Sequence, residues 1–220
     1  MRLYNLPLSP FCRKIRLVLF EKKIEFELFE EKVWEKRMDF LRINPACKVP
    51  VLTNKNLIIA DSNAIFEYLE EKYPFPSLLS NNLIEKAEIR RIVGWFDDKF
   101  HNEVTKNLLY EKINKKLSKT GQPDSNNIKI GTHNIKFHID YLDWLLEKRK
   151  WLAGNNMTIA DLTAASHISV LDYLGDIDWE RSDFVKNWYY KVKSRPSFRT
   201  LLTDFLPGFI PSSHYMDLDF

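Results

Sequence analysis

Cysteine is scarce in this chain: Cys12 and Cys47 are the only two in 220 residues. Two thiols make no disulfide framework, and that usage predicts a reducing compartment. No apolar run approaches the ~20 residues of a spanning helix, so membrane insertion is not expected. Pro7 and Pro10 break the short apolar stretch at the start, and Arg13 and Lys14 follow. A signal-peptide core is therefore missing, and a soluble cytoplasmic protein is the expectation. Neither sign of charge dominates. The 33 basic and 30 acidic residues leave a formal net charge of +3. They interleave, as in Glu30-Glu31-Lys32 and Glu35-Lys36-Arg37, which argues for a solvated mixed surface and against a nucleic-acid groove. There is no Gly-rich phosphate loop, no Ser-His-Asp spacing and no internal repeat. His133 and His138 are five residues apart and fall on different helix faces, so no metal site is expected.

What is present is enough apolar material for one large or two modest domains. The hydrophobic fraction is 45% and the aromatic fraction 14%. Residues 2–6 read as a strand, and 13–21 carry Ile15, Val18 and Leu19 at helical spacing. Glu25 to Phe29 alternates apolar and charged, as a half-buried strand does. Residues 37–43 read as a short helix ending before Asn44-Pro45. Two apolar runs, 50–53 and 57–60, flank Asn54-Lys55-Asn56, a hairpin signal. Asp61-Ser62 then opens a helix to Lys72. The order βαβ, α, ββ, α predicts an α/β sandwich of thioredoxin-like type over residues 1–76, its first two strands parallel because a helix crosses between them. Tyr73-Pro74-Phe75-Pro76-Ser77 reads as an interdomain linker.

Beyond the linker every long segment has helical period, which predicts an all-α second domain over 83–206. Ile89, Ile92, Val93, Phe96 and Phe100 form one stripe; Ile128, Ile135, Ile139, Leu142 and Leu146 form another. The polar stretch 110–127 reads as a loop or frayed helix end, with a stop at Gly121-Gln122-Pro123-Asp124. Residues 207–220 cannot continue as helix through Pro207 and Pro211 and read as an extended tail.

The sharpest structural motif is Met157-Thr158-Ile159-Ala160-Asp161-Leu162. Thr158 can cap a helix with Asp161 reaching back, and Met157 and Leu162 can staple it. Coming after Trp151-Leu152-Ala153-Gly154, this motif resembles the capping box of the glutathione S-transferase family. Arg195-Pro196-Ser197-Phe198 resembles that family's late-helix segment. Ser9-Pro10-Phe11-Cys12-Arg13, Val49-Pro50 and Asp61-Ser62 resemble its glutathione site, so the likeness spans nearly the whole chain.

The resemblance implies roles for these residues, and each also has a plain structural reading. Ser9 would stabilise the thiolate of glutathione, or it only caps the first helix. A free thiol is ~3% ionised at neutral pH, and lowering its pKa by ~2 units needs roughly 2.7 kcal/mol. One hydroxyl hydrogen bond to a charge contributes ~1.5–3 kcal/mol, and the helix N-terminus can supply the rest. Pro50 would be cis, leaving the Val49 backbone to pair with the peptide. Lys48 would meet the glycyl carboxylate. Asp61-Ser62 would hold the γ-glutamyl end, or form a plain N-cap. Cys12 reads as a small packing residue, so dithiol chemistry is not expected. One residue departs from the family pattern: position 47, usually glycine, is Cys47. Glycine would permit a positive φ or a close ligand approach, and cysteine is expected to permit neither easily.

Trp34, within a highly charged stretch, is either a loop anchor or an exposed binding hot spot. The tail ends in alternating apolar and acidic residues. It can fold back over a substrate pocket, or offer Leu218 and Phe220 as partner anchors. With Leu8–Lys14, Val33-Trp34-Glu35, Trp95–His101, Leu171–Asp176 and His214–Phe220, the chain resembles a subgroup of GST-like bacterial cell-division proteins. That resemblance implies binding to FtsZ polymers and promotion of their curvature rather than glutathione transfer. The alternative is an active transferase conjugating glutathione to a small electrophile. A homodimer is expected by the same family analogy.

Overall fold

In the computed structural model, which describes residues 1–218, the chain divides into two units that meet at Leu78 and Leu79. The first is built from β1 (Arg2–Asn5), α1 (Pro10–Glu21), β2 (Glu27–Glu30), α2 (Met38–Ile43), β3 (Val51–Asn54), β4 (Leu57–Ala60) and α3 (Ser62–Lys72). The sheet order is β2-β1-β3-β4. β1 and β2 run parallel, with Leu3 opposite Leu28. β1 and β3 are antiparallel, with Tyr4 opposite Val51, and β3 and β4 form the hairpin, with Leu52 opposite Ile59. Alternation along a strand sends Leu3 and Tyr4 to opposite faces. Tyr4, Val51 and Phe40 of α2 make one apolar cluster. α1 and α3 pack against each other, and Lys14 Nζ donates to Asn63 Oδ1 at 3.1 Å.

β2 differs from the half-buried strand its alternation predicts: all four of its residues are exposed. It is the edge of the sheet, where a charged alternating strand is protected from stray pairing by its glutamates. Phe29 still finds partners. Its ring lies 5.1 Å from that of Tyr4 and under the guanidinium groups of Arg2 and Arg37.

The proline-rich segment after α3 is anchored to this unit rather than slack. The buried Lys22 ammonium lies 2.7 Å from the Glu70 carboxylate and donates to the carbonyls of Tyr73 and Pro76. Glu70 in turn accepts from the Ser77 hydroxyl and the Leu78 N–H. The Phe75–Pro76 bond is cis.

The second unit holds α4 (Leu83–Gly94), a π-helical stretch (Trp95–Asn114) that continues it, α5 (Lys115–Ser118), α6 (Ser125–Lys148), α7 (Ile159–Leu174), α8 (Asp183–Lys193) and α9 (Arg199–Leu202). α7 is buried from Ile159 to Tyr173, which makes it the axis of the core. Gly131 lets α6 cross closely, since a Cβ there would meet Leu108 Cγ at 2.9 Å. The polar stretch after residue 110 is helical as far as Ser118, further than its composition indicates. The reason is Glu111, 3% exposed, which pairs with Lys115 at 2.6 Å and accepts from the Asp124 N–H and the Asn127 amide. One buried carboxylate closes the 119–124 loop and starts α6.

The capping box at α7 forms as its spacing predicts. Asp161 is fully buried and accepts four hydrogen bonds: from the Leu152 and Thr158 N–H groups, the Thr158 hydroxyl and the Trp188 indole N–H.

Candidate functional site

The sheet register brings the three N-terminal motifs together. Tyr4 pairs with Val51, and Val51 pairs with Ala60. The C-terminal end of β1, the N-terminal end of β3 and the C-terminal end of β4 therefore share one end of the sheet. Ser9 follows the first, Pro50 precedes the second, and Asp61-Ser62 follow the third.

Ser9 is the N-cap of α1, and its hydroxyl oxygen accepts from the Cys12 N–H at 3.4 Å. The long distance leaves the hydroxyl hydrogen available as a donor, and the first turn of α1 adds its partial positive charge. Arg13 is buried and fixes the preceding turn by donating to the Pro7 carbonyl at 2.9 Å. Cys12 is fully buried, as a packing residue is.

The Val49–Pro50 bond is cis. Among the described residues the Val49 backbone N–H and C=O take no partner. The loop before it is tied by Asn44, whose side chain donates to the Lys48 carbonyl at 2.8 Å and accepts from the Ala46 N–H at 3.2 Å. Lys48 itself is exposed.

Cys47 corrects an expectation. It adopts φ +50°, the left-handed conformation that glycine favours and that cysteine was expected to resist. Its thiol donates to the Val33 carbonyl at 3.3 Å, and it packs on the Tyr4–Phe40–Val51 cluster. These contacts offset a conformational cost of ~1–2 kcal/mol.

Asp61 has φ +82° and caps α3, its carboxylate accepting from the Asn63 and Ala64 N–H groups at 2.7 and 3.2 Å. Ser62 is the first helical residue and is buried. The plain N-cap role thus belongs to Asp61. Sequence reasoning missed Asn5. It is 4% exposed at the end of β1, and among the described residues its side-chain oxygen has no hydrogen-bond partner. A polar residue closing an otherwise apolar run was the available signal.

Trp34 sits in a single 3-10 turn (Val33–Glu35) and is half-buried. Among the described residues the tail is anchored to the helical unit at Ser212, His214 and Tyr215. Tyr215 is fully buried, with its ring against Tyr173 and its hydroxyl donating to the Leu201 carbonyl. Ser212 donates to the carbonyls of Asp172 and Tyr173. The knot of this anchor is charged. Asp172 lies 3.2 Å from Lys193 and 3.0 Å from His214, and accepts from the Tyr189 hydroxyl. Lys193 also donates to the His214 carbonyl. Burial pushes the Asp172 carboxyl up and the Lys193 ammonium down in pKa, while each draws the other back. Leu218 is half-buried, and Phe220 lies outside the described residues.

His133 is exposed and His138 buried, on different faces. His138 Nδ1 accepts from the Trp95 indole N–H, so its other nitrogen carries the proton and donates to Glu103. Burial holds its pKa below the usual value. Among the described residues no group of His, Cys, Asp and Glu is arranged to hold a metal ion. No described helix is long and apolar enough to cross a membrane.

A thioredoxin-like sheet with a cis-proline turn, followed by an all-helical domain with this capping box, defines the glutathione S-transferase class. The family description "Glutathione S-transferase, N-terminal domain" matches residues 8–72, and "Glutathione S-transferase, C-terminal domain" matches 98–203. The chain belongs to the glutathione S-transferase family. Within it, the chain is 43% identical to FtsZ-localized protein A of Caulobacter vibrioides, over 99% of this chain and 97% of that one. The solved structure of FzlA from C. crescentus superposes with a TM-score of 0.96, covering 100% of this chain and 99% of that one. A glutathione S-transferase structure from Rhodospirillum rubrum F11 superposes with a TM-score of 0.97 at 48% identity, over 100% and 99% of the two chains.

Proposed function

We propose that this protein acts in bacterial cell division as a non-catalytic FtsZ-binding protein that modulates filament curvature. The observation that carries the reading is the 43% identity to FtsZ-localized protein A across 99% of the chain. The half-buried Trp34 and the end of the tail, including Leu218 and Phe220, are the candidate contacts. The tail's anchorage at Tyr215 supports a surface role for the stretch around it, because Met216 and Asp217 are exposed beside that buried ring. A homodimer in the cytoplasm is part of the same proposal. Cosedimentation with polymerised FtsZ tests it. Recovery in the pellet at tens of micromolar is expected, and retention in the supernatant at that concentration sinks the idea.

A second reading, an active glutathione transferase, has its own support in the cis Val49–Pro50 turn and the free Val49 backbone beside the Ser9 cap. Ser9 would stabilise the thiolate, Lys48 and Val49 with Pro50 would hold the peptide, and Asp61 with Ser62 the γ-glutamyl end. On this reading glutathione is the substrate and no metal takes part. Titration calorimetry with glutathione decides it: absence of heat at millimolar glutathione rules the transferase out. Heat, followed by loss of turnover in Ser9→Ala, establishes it.

A further inference from the structure

We propose that the groove between the end of α6 and α8 binds an acidic peptide segment with apolar side chains, presented by a partner protein. The groove has a volume of about 530 Å³ and is lined by Leu146, Arg149 and Lys150 on one side and Phe184, Trp188 and Lys191 on the other, with Asn187 and Tyr190 beside them. None of the lining side chains is acidic. Phe184, Asn187, Trp188 and Lys191 follow the i, i+3, i+4, i+7 spacing of one helix face. On this face Trp188 is buried while Phe184 is 48% exposed, and Tyr190 beside it is 40% exposed. Exposed aromatic rings over a buried floor of Leu146 and Trp188 are the composition of a contact surface.

The cations say what the surface contacts. Among the described residues Lys150 and Lys191 take no ion-pair partner. Arg149 is held in place through Nη1 alone, which donates to Glu88 at 2.7 Å and to the Leu152 carbonyl at 2.8 Å. Among the described residues its Nη2 takes no acceptor, so the guanidinium, already paired with Glu88, keeps one donor edge open to a second acceptor. Two unpaired lysines beside an arginine already paired with Glu88 leave the groove positive and select negative charge, and the apolar floor with its aromatic walls selects side chains such as leucine or phenylalanine between those charges. A phosphate backbone would satisfy the first requirement and not the second. None of these residues belongs to the glutathione or FtsZ assignments above.

The test is fluorescence polarisation with a fluorescein-labelled hexapeptide, Asp-Leu-Asp-Phe-Asp-Leu, against the same peptide with asparagine for aspartate. The full chain is expected to bind the acidic peptide at micromolar levels and to lose affinity as salt rises from ~50 to ~300 mM. The double variant Lys150→Glu, Lys191→Glu should weaken binding at least about tenfold, and Phe184→Ala several-fold, with unchanged thermal unfolding. Equal binding of the asparagine peptide, unaltered binding by the variants, or no signal up to ~1 mM peptide overturns the proposal. So does capture of anionic phosphatidylglycerol vesicles with the same variant dependence while the peptide is ignored.

Discussion

Cys47 shows how a single residue can keep a loop geometry that its chemistry disfavours. A left-handed backbone costs cysteine ~1–2 kcal/mol, and the thiol hydrogen bond to Val33 with its apolar contacts returns a similar amount. Cys47→Gly should therefore leave stability within about 0.5 kcal/mol, because strain and contacts vanish together. Cys47→Val, β-branched at φ +50°, should lose about 2 kcal/mol. Urea unfolding of both variants measures this, and a stable Cys47→Val would refute the compensation. Asp161 is the opposite case, a residue whose role its spacing already announced. Removing the carboxylate in Asp161→Ala strands three buried N–H donors and should cost about 3–5 kcal/mol, read as a lower urea midpoint at an unchanged slope. The two differ in legibility for a physical reason. A capping box is a local pattern of four residues, whereas the compensation at Cys47 depends on Val33, fourteen residues away. Asn5 and Glu111 escaped notice likewise, since burial of a lone polar side chain leaves no periodic trace.

Elements were read well where one face is apolar and poorly where a distant charge decides. The helix start at Ser62, the hairpin over 51–60 and the buried stripe from Ile89 to Phe100 all follow from local patterns. The extension of helix to Ser118 follows from the buried Glu111–Lys115 pair, and the seating of the tail from Asp172, Lys193 and His214. The tail yields a prediction at this scale. Lys193→Met leaves Asp172 buried without its strongest partner, a change that typically costs ~3–5 kcal/mol. The tail is the least costly part to release, so chymotrypsin should cut at Phe209 or Tyr215 faster in this variant, with circular dichroism unchanged. Equal cleavage rates would mean that the aromatic contacts of Tyr215 hold the tail alone.

Helix junctions also set the response to acid. Glu88 of α4 is paired with Arg91 and with Arg149, just after α6, and the hydrogen bond to Arg91 with that to Arg149 lowers its pKa from 4.5 to about 2. A carboxylate whose folded pKa is depressed contributes its full stability above 4.5 and loses it as the pH falls toward 2. His138, buried and neutral with a pKa below 6.5, contributes above 6.5 and loses stability as the pH drops beneath that value. Glu88→Gln should therefore flatten the unfolding free energy between pH 4.5 and 2 and leave the slope near pH 6 intact. Solvent screening at the partly exposed pair reduces the effect to about 1–2 kcal/mol. Denaturant midpoints at four or five pH values give the comparison.

At the scale of the whole molecule, the fold and the function were legible to different depths. Short motifs spread over the chain specify a two-part scaffold, because each part needs its own helix starts and proline turn. They do not specify use, since the same Ser9, Pro50 and Asp61 geometry builds the sheet end whether or not a thiol sits there. The same scaffold can therefore carry a function on its surface whether or not the sheet end binds a ligand. That separation is testable with two substitutions in one chain. If FtsZ binding resides on the surface, Trp34→Ala should reduce cosedimentation with FtsZ polymers about tenfold or more, as truncation of an interface tryptophan does. Its thermal midpoint should change little, because Trp34 is only half-buried in a single turn. Ser9→Ala should leave cosedimentation untouched, because its hydroxyl faces only the start of α1. The converse result, loss with Ser9→Ala and none with Trp34→Ala, would return the function to the sheet end and make glutathione, or a ligand in its place, part of how this protein works.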